Sequence, residues 1–313
     1  MLSRIADSLF WLARYMERAE SLLRVTSTHN LLSLDKDVNG PLTWRPVLET
    51  FTAATAEEIN NISHNSGAAL KKLLTDTTNS NSLKALIGKA RENARGIQDY
   101  ITKEVWEEVN SFYHLINQPS LDNRLSNYEA ADILELFTRH AVLYTGITDI
   151  TMARGIGWGF MNLGKYIERC SETIVLTDKQ YALNQYRVDD AKDIMQWRHL
   201  LMSLSGYELH LKTYRSYQYT HDVLHQVLFN EDFAHSVIYS LGRIDRHLRD
   251  VTKGNISEEN AALIRNFGRL YSSVKHLEID DLTNSSLQPF LQTLRHDLLQ
   301  FTSLLSQKFF SYA

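Results

Sequence analysis

The sequence predicts an all-α protein, an internally duplicated helical bundle whose two similar halves are related by a pseudo-twofold axis. Three observations carry this. Leu12-Ala13-Arg14-Tyr15-Met16-Glu17-Arg18 near the N-terminus returns as Leu163-Gly164-Lys165-Tyr166-Ile167-Glu168-Arg169, and both copies read apolar, small, basic, Tyr, apolar, Glu, Arg. Apolar residues recur at helical spacing along the chain, and no run alternates with period two for long enough to be a strand. Only 4 prolines and 13 glycines punctuate the 313 residues, which leaves little material for tight turns and favours long helices. The expected organisation is a single all-helical domain over 1–313, with internal repeats at about 1–125 and 152–280.

Residues 3–34 read as one long helix, with Ser3 as a suitable N-cap and Ile5, Leu9, Leu12, Met16, Ala19 and Leu23 as an apolar stripe. Asn39-Gly40-Pro41 ends the connection that follows. A helix starts near Trp44, tolerates Pro46 in its first turn and runs to about Ile62, where His64-Asn65-Ser66-Gly67 breaks it. A short helix over about 67–75 leads to the polar loop Thr77-Thr78-Asn79-Ser80-Asn81. The pattern is helical again from Ser82 to about Ile116, with an interruption around Thr102, and Asn117-Gln118-Pro119 closes that stretch. A helix from about Asn127 to Thr151 follows. Gly155, Gly157 and Gly159 then predict a break, kink or close backbone approach ahead of the second signature helix, about 158–184. Further helices are expected at about 189–216, 219–228, 233–252, 257–278 and 286–311.

The two halves match at more than the signature. Trp44-Arg45-Pro46-Val47-Leu48 answers to Trp197-Arg198-His199-Leu200-Leu201, Ser82-Leu83 to Ser236-Val237, and Gly88-Lys89 with Arg91 and Arg95 to Gly242-Arg243 with Asp245 and Arg249. The offsets of 151, 153 and 154 drift in one direction, as a duplication with small loop insertions would give. Two copies at this period are not a solenoid array.

Composition narrows the function. Hydrophobic residues make up 43% and charged residues 22%, which is globular rather than disordered. A net charge of −4 provides no basic field for nucleic acid or an anionic membrane surface. The single cysteine, Cys170, rules out an intramolecular disulfide and makes a thiol-based zinc site implausible. The apolar N-terminus is interrupted by Arg4, Asp7, Arg14, Glu17 and Arg18, so it is neither a signal core nor a membrane span. A soluble cytoplasmic protein is the expectation.

On a helical wheel the stripe Ile5, Leu9, Leu12, Met16 and Leu23 lies opposite Arg14, while Asp7, Phe10, Trp11, Arg14, Glu17 and Arg18 share the other side. Trp158, Met161, Lys165, Glu168 and Arg169 occupy the matching side in the second copy. A solvated face has no need of Trp and Phe among its charges, so this face is expected to be covered. Two readings stay open. Glu and Arg can pair with each other, as Arg14 can with Glu17 at i,i+3, and fix the register of the halves. Alternatively Arg14, Arg18, Lys165 and Arg169 form a polar pocket for a carboxylate or phosphate, with Glu17 and Glu168 as orienters or an acid/base pair.

Other constellations say less. His221 and His225, spaced i,i+4 around Asp222, faintly resemble a zinc-protease helix, but the acidic residue is not Glu and no third ligand is marked. Cys170 aligns with Ala19 and reads as a small core residue. Arg91-Glu92-Asn93-Ala94-Arg95 is denser in functional groups than a core helix needs, with solvated helix pairs as the alternative. Tyr207, Tyr214, Tyr217 and Tyr219 suit a groove or half-buried packing. No glycine-rich phosphate loop follows a predicted strand, and no Ser-His-Asp arrangement is legible.

Ser3-Arg4-Ile5-Ala6-Asp7-Ser8-Leu9-Phe10-Trp11, followed by Arg14-Tyr15-Met16-Glu17-Arg18-Ala19-Glu20, resembles the opening of the bacterial alpha-E domain family, long catalogued as a domain of unknown function. Asn79 with Ser82, Ala90-Arg91-Glu92-Asn93-Ala94-Arg95, and Trp106 with Asn110 resemble its next signature; Gly157-Trp158 with Gly164 and Glu168-Arg169 resembles a third. The resemblance implies an all-helical fold. It also implies a genetic neighbourhood with a circularly permuted ATP-grasp ligase-like protein and a transglutaminase-like cysteine peptidase, and so a role in peptide or amide-bond synthesis and modification. Where the family usually reads Pro-Arg-Ser, this chain has Ala234-His235-Ser236.

The candidate ligand-binding residues are Arg4, Arg14, Tyr15, Arg18, Arg91, Asn93, Arg95, Lys165, Tyr166 and Arg169, with Glu17 and Glu168 as candidate catalytic groups. No metal and no cofactor is expected. The leading expectation is a helical accessory or substrate-holding component that docks on the ATP-grasp protein, with a transglutaminase-like protein as a possible second partner and a peptide or amino acid as ligand. The alternatives are an enzyme acting on a peptide or acyl-phosphate intermediate, and a purely structural scaffold.

Overall fold

The computed structural model describes residues 2–33, 42–125, 129–188, 194–215, 217–253 and 257–310. Among them the regular structure is helical throughout, with no strand. The chain divides into two compact units, Trp11–Ala153 and Met1–Phe10 with Arg154–Ala313. No helix among the described residues is long and apolar enough to cross a membrane.

The first helix, α1 (Ser3–Ser33), contributes its opening turns to one unit and the rest to the other. The unit of Trp11–Ala153 continues with α2 (Arg45–Phe51), α3 (Ala56–Ile62), α4 (Ser66–Leu74), α5 (Leu83–Gly96), α6 (Lys103–Ile116), α7 (Leu121–Leu125) and α8 (Ala130–Thr151). The expected helix from Trp44 to Ile62 is two helices. Thr52 leaves helical geometry and turns its hydroxyl back to the Leu48 carbonyl, and Thr55 opens α3 with a capping box to Glu58. Thr-x-x-Glu satisfies two N-terminal donors at once, so the local bonds outweigh continuation. The interruption expected near Thr102 is present: α5 ends at Gly96, a single 3₁₀ turn spans Gln98–Tyr100, and Thr102 caps α6. Helix α7 lies between Pro119 and the helix expected from about Asn127, in a stretch for which no element was predicted. Asn39-Gly40-Pro41 and the expected start at Asn127 lie outside the described residues.

The core of this unit packs α5 on α6 and α6 on α8. Phe112 meets Phe137 with ring centroids 5.8 Å apart, and buried Glu108 bonds His140 Nδ1 at 2.7 Å. Trp44 is fully buried against His29 of α1 (4.5 Å) and donates its indole N–H to Ser66 Oγ at 3.0 Å.

The other unit is built on α9 (Ile156–Leu183), with α10 (Ile194–Ser203), α11 (Tyr207–Thr213), α12 (Tyr219–Phe229), α13 (Val237–Thr252), α14 (Glu258–Lys275) and α15 (Leu287–Phe309). Helix α9 packs on α13 and α15, and α14 lies against both of those. The three glycines divide their work. Gly155 caps the start of α9, whereas Gly157 and Gly159 lie inside it. A Cβ on Gly159 would stand 2.5 Å from Val251 Cγ1, so this glycine is what lets α13 approach α9 so closely.

The helix expected over 189–216 is broken at Leu204-Ser205-Gly206, where Ser205 takes φ 56° and the Gly206 N–H returns to the Leu201 carbonyl at 2.7 Å. That is a left-handed helix stop. A side chain on Gly206 would meet Gln226 and Phe233. Residues 189–193 and 216 of that expected helix lie outside the described residues. The helix expected from 233 starts later, because Ser236 supplies the cap. Trp197 is fully buried against Tyr181 (4.6 Å), and Phe10, Phe160, Phe309 and Phe310 form an aromatic cluster with Phe10 and Phe310 4.9 Å apart.

Candidate functional site

The Glu-Arg signature of α1 faces a loop folded by its own side chains. Asp76 accepts from the Thr78 amide and hydroxyl, both at 2.8 Å, and ion-pairs Lys72 at 2.8 Å. Burial works against its carboxylate, but the bonds from Lys72 and Thr78 prevail and hold it below the usual range. Asn79 Nδ2 donates to the Lys72 carbonyl at 3.1 Å, Asn79 Oδ1 accepts from the Asn81 amide at 3.1 Å, and Ser82 then caps α5.

Onto this loop Arg18 donates from Nη1 to Asn81 Oδ1 at 3.2 Å. Lys89, two turns into α5, reaches back to the Ser80 carbonyl at 2.9 Å with its ammonium 5.6 Å above the Tyr15 ring. Burial, and next the nearby Arg18 charge, lower the Lys89 pKa.

A second cation–aromatic group sits on α5 and α6. Arg91 donates from Nε to Asn110 Oδ1 at 2.8 Å, and its guanidinium lies 4.5 Å from the Tyr113 ring centre and 5.7 Å from that of Trp106. Arg95 is exposed and pairs loosely with Glu92 at 3.8 Å, and Asn93 uses its amide within the helix, on the Lys89 carbonyl at 2.8 Å. Arg14 stacks 4.7 Å over Trp11. Arg14 and Glu17 are buried at 9% and 5% exposure, so this side of α1 is covered, as the aromatic residues among its charges require. The Tyr144 phenol lies buried close to Glu17, and burial first, then that carboxylate, push its ionisation well up.

The other unit builds its own version. Ser236 caps α13 and donates from Oγ to the Asn230 carbonyl at 2.6 Å. Arg169 donates from Nη1 to the Ala234 carbonyl at 3.3 Å, and Thr173 to the His235 carbonyl at 2.8 Å. Tyr166 carries Arg169 at 5.4 Å and Lys165 at 5.7 Å over its ring. It meets Tyr239 and a nearly parallel His247, each at 6.2 Å, while Arg243 lies 4.8 Å over Tyr239 and donates to its hydroxyl. Burial chiefly, with Arg246 and Arg243 adding to it against Asp250, pushes His247 down to about 4. Glu168 is buried at 3% exposure.

Of the expected site residues, Tyr15 and Arg18 come together with Lys89 and Asn81, and Lys165, Tyr166 and Arg169 come together on α9. Arg91 groups with Trp106 and Asn110, whereas Arg4 stands exposed in the first turn of α1. Sequence reading missed Lys89, Asn81, Tyr239, Arg243 and His247 as members of these clusters. Their aligned positions in the two halves were the signal: Lys89 and Arg243 both fall seven residues after the capping serine.

The remaining candidates resolve simply. His225 Nδ1 bonds the Tyr214 hydroxyl at 2.7 Å and His221 Nε2 faces Asp280 at 3.3 Å; among the described residues no group of three or more His, Cys, Asp or Glu could hold a metal. Cys170 is fully buried, and burial raises its thiol far above the reactive range. An apolar groove of about 830 Å³ runs between the last turns of α1 and the first half of α8, lined by Leu31, Leu134, Val142 and Leu143.

Neither a curated protein nor a solved structure matches the chain. Glu17-Arg18 and Glu168-Arg169 are its only two Glu-Arg pairs, each on a long helix with the arginine fastened to the loop before a serine-capped helix. A family model described as a predicted alpha-helical domain with a conserved ER motif matches residues 1–310, and the chain therefore belongs to the Alpha-E family.

Proposed function

We propose that the protein is a substrate-holding accessory component of an ATP-grasp-linked pathway of peptide or amide-bond synthesis or modification, rather than the catalyst. The observation that carries this is the set of cations seated on aromatic rings. Lys89 lies on Tyr15, Arg91 on Tyr113 and Trp106, and Arg243 on Tyr239. A ring fixes a guanidinium by its face and leaves the N–H edges to take a carboxylate, which suits recognition of peptide ends or acidic side chains. Glu17 and Glu168 are buried, whereas a general base has to reach the proton it removes.

We also read the two units as copies of one ancestral element. Trp44 on His29 and Trp197 on Tyr181 are the same construction, and so are the two loops held by the Glu-Arg arginines ahead of Ser82 and Ser236.

The test is affinity capture of the tagged protein from its native host, with the double variant Arg91→Gln/Arg243→Gln as control. Both positions are half-buried rather than core, so the variant should fold. An ATP-grasp ligase-like protein recovered with wild type and lost with the folded variant supports the holding role. Equal recovery with both moves the contact off the cation-bearing edges. Recovery of no such protein removes the proposal.

A further inference from the structure

Trp106, Asn110 and Tyr113 follow one another at i, i+4 and i+7 along one half-buried edge of α6, and Arg91 of α5 lies across them. Its Nε donates to Asn110 Oδ1 at 2.8 Å, and its flat face rests 4.5 Å from the Tyr113 ring centre and 5.7 Å from that of Trp106. The guanidinium is thereby fixed in position and in orientation. Its outer donors are lightly used. Nη1 meets Glu92 Oε1 at 3.3 Å, but that carboxylate is 63% exposed and also serves Arg95 at 3.8 Å, and so solvated a bridge contributes little. Among the described residues no carboxylate of another helix reaches Arg91, and neither Arg91 Nη2 nor Asn110 Nδ2 makes a hydrogen bond. The other unit closes the corresponding place. Nine residues after the capping serine, where α5 has Arg91, α13 has Asp245, and Arg249 satisfies it with bonds of 2.8 and 3.0 Å.

We infer that Arg91 and Asn110, walled by Trp106 and Tyr113, form a docking site for a peptide carboxylate. The carboxylate takes Nη2 of Arg91, displaces Glu92 from Nη1, and has the Asn110 amide as a further donor. The half-buried rings receive the apolar atoms of the peptide beside it, and Trp, Tyr and Arg are the residue types that dominate binding hot spots. One cation, one neutral amide and two rings match a single negative charge on a partly apolar ligand better than they match a phosphate dianion. This deepens the holding role proposed above and rests on it for the origin of the peptide. Binding is measured on the isolated protein, so loss of the enzyme partner and loss of the site are separate results.

The experiment labels the 5 tryptophans with ¹⁵N, follows their indole N–H resonances, and assigns Trp106 by its absence in Trp106→Phe. The protein is titrated with Ac-Ala-Glu-Ala-NH₂, which carries only a side-chain carboxylate, and separately with Ac-Ala-Ala-Ala, which carries only a terminal one. Ac-Ala-Gln-Ala-NH₂ is the uncharged control. The Trp106 signal should shift saturably in at least one of the first two arms and not with the control, while the signal of Trp44, fully buried and bonded to Ser66, stays in place. Saturation in one arm assigns the site to acidic side chains or to C-termini, and saturation in both assigns it to carboxylates of either origin. Arg91→Gln should weaken binding about tenfold or more. Asn110→Asp keeps the arginine in place but supplies an internal carboxylate, and should weaken binding to a similar degree; it decides the matter if the Trp44 signal shows that Arg91→Gln has not folded. A Trp106 signal that moves no more than Trp44 in both arms overturns the site. Equal shifts with the uncharged control overturn it too, as does unchanged affinity in either folded variant.

Discussion

In the Trp11–Ala153 unit the Glu-Arg arginine holds a side chain, the Asn81 carboxamide; in the unit of Met1–Phe10 and Arg154–Ala313 it holds main chain, the Ala234 carbonyl. The second unit adds another tie, from Thr173 to the His235 carbonyl. Beside the signature tyrosine the difference widens. Tyr15 receives the Lys89 ammonium from α5, whereas Tyr166, which carries Lys165 and Arg169 of its own helix, meets the phenol of Tyr239 and the imidazole of His247 from α13. The fastening of a loop to a long helix is therefore common to both, while the chemistry next to the tyrosine diverges. The ties at Ala234 and His235 run to main-chain carbonyls, so they do not depend on the side chains at these positions.

The hardest way to break the comparison is at the two tryptophans. Trp44→Ala and Trp197→Ala should each lose roughly 3–5 kcal/mol, read from urea unfolding. The phenylalanine variants should separate them. Trp44 donates to Ser66, whereas Trp197 Nε1 is buried with no hydrogen-bond partner among the described residues. Trp44→Phe should therefore cost about 1 kcal/mol more than Trp197→Phe, and equal costs would mean the indole bond contributes nothing.

Acid should distinguish the units next. Burial holds His199 and His247 down at about 4, and His210 and His225 also below their ordinary value, all in the same unit. Their folded values lie below the unfolded value near 6.5, so the stability they contribute is complete above about pH 6.5 and is lost as pH falls from there towards 4. Trp197 fluorescence should report loosening across that window, and His247→Gln should flatten the slope. A pH-independent midpoint between 6.5 and 4 would contradict it.

The arginine ties come third. Arg18→Gln should cost about 1–2 kcal/mol and speed amide exchange in the first turn of α5. Arg169→Gln should have a smaller effect on α13, because Thr173 still holds the loop. Exchange that rises equally at both helices would erase the distinction. Finest of all are the caps. Ser82→Ala should cost ~1 kcal/mol, and Ser236→Ala somewhat more because its hydroxyl also bonds the Asn230 carbonyl. Thermal melts of the two variants would rank them.

The long helices were readable because Leu9, Leu12, Met16 and their counterparts repeat at a period that only a helix satisfies. The breaks were less readable, since Thr52 and Ser205 stop helices through hydroxyl and left-handed geometry in segments whose apolar spacing continues across the stop. Thr55-x-x-Glu58 was a legible start signal inside an expected helix. At the site, signature residues such as Arg18 and Arg169 were visible, but Lys89 was not. A lysine on an amphipathic helix looks solvated until a tyrosine from elsewhere in the chain is found beneath it.

The aromatic pair Phe10–Phe310 bears on how the protein is made. Residues 11–153 form a contiguous unit that can close while later helices are still being synthesised. The other unit joins residues 1–10 to residues from 154 onward, and Phe10 meets Phe310 across 300 positions of sequence. Its nucleus cannot include that pair until residue 310 has been synthesised. Until then the apolar opening turns of α1 have no Phe310 to rest on, which makes the nascent chain, rather than the finished fold, the state in which a chaperone would have most to hold.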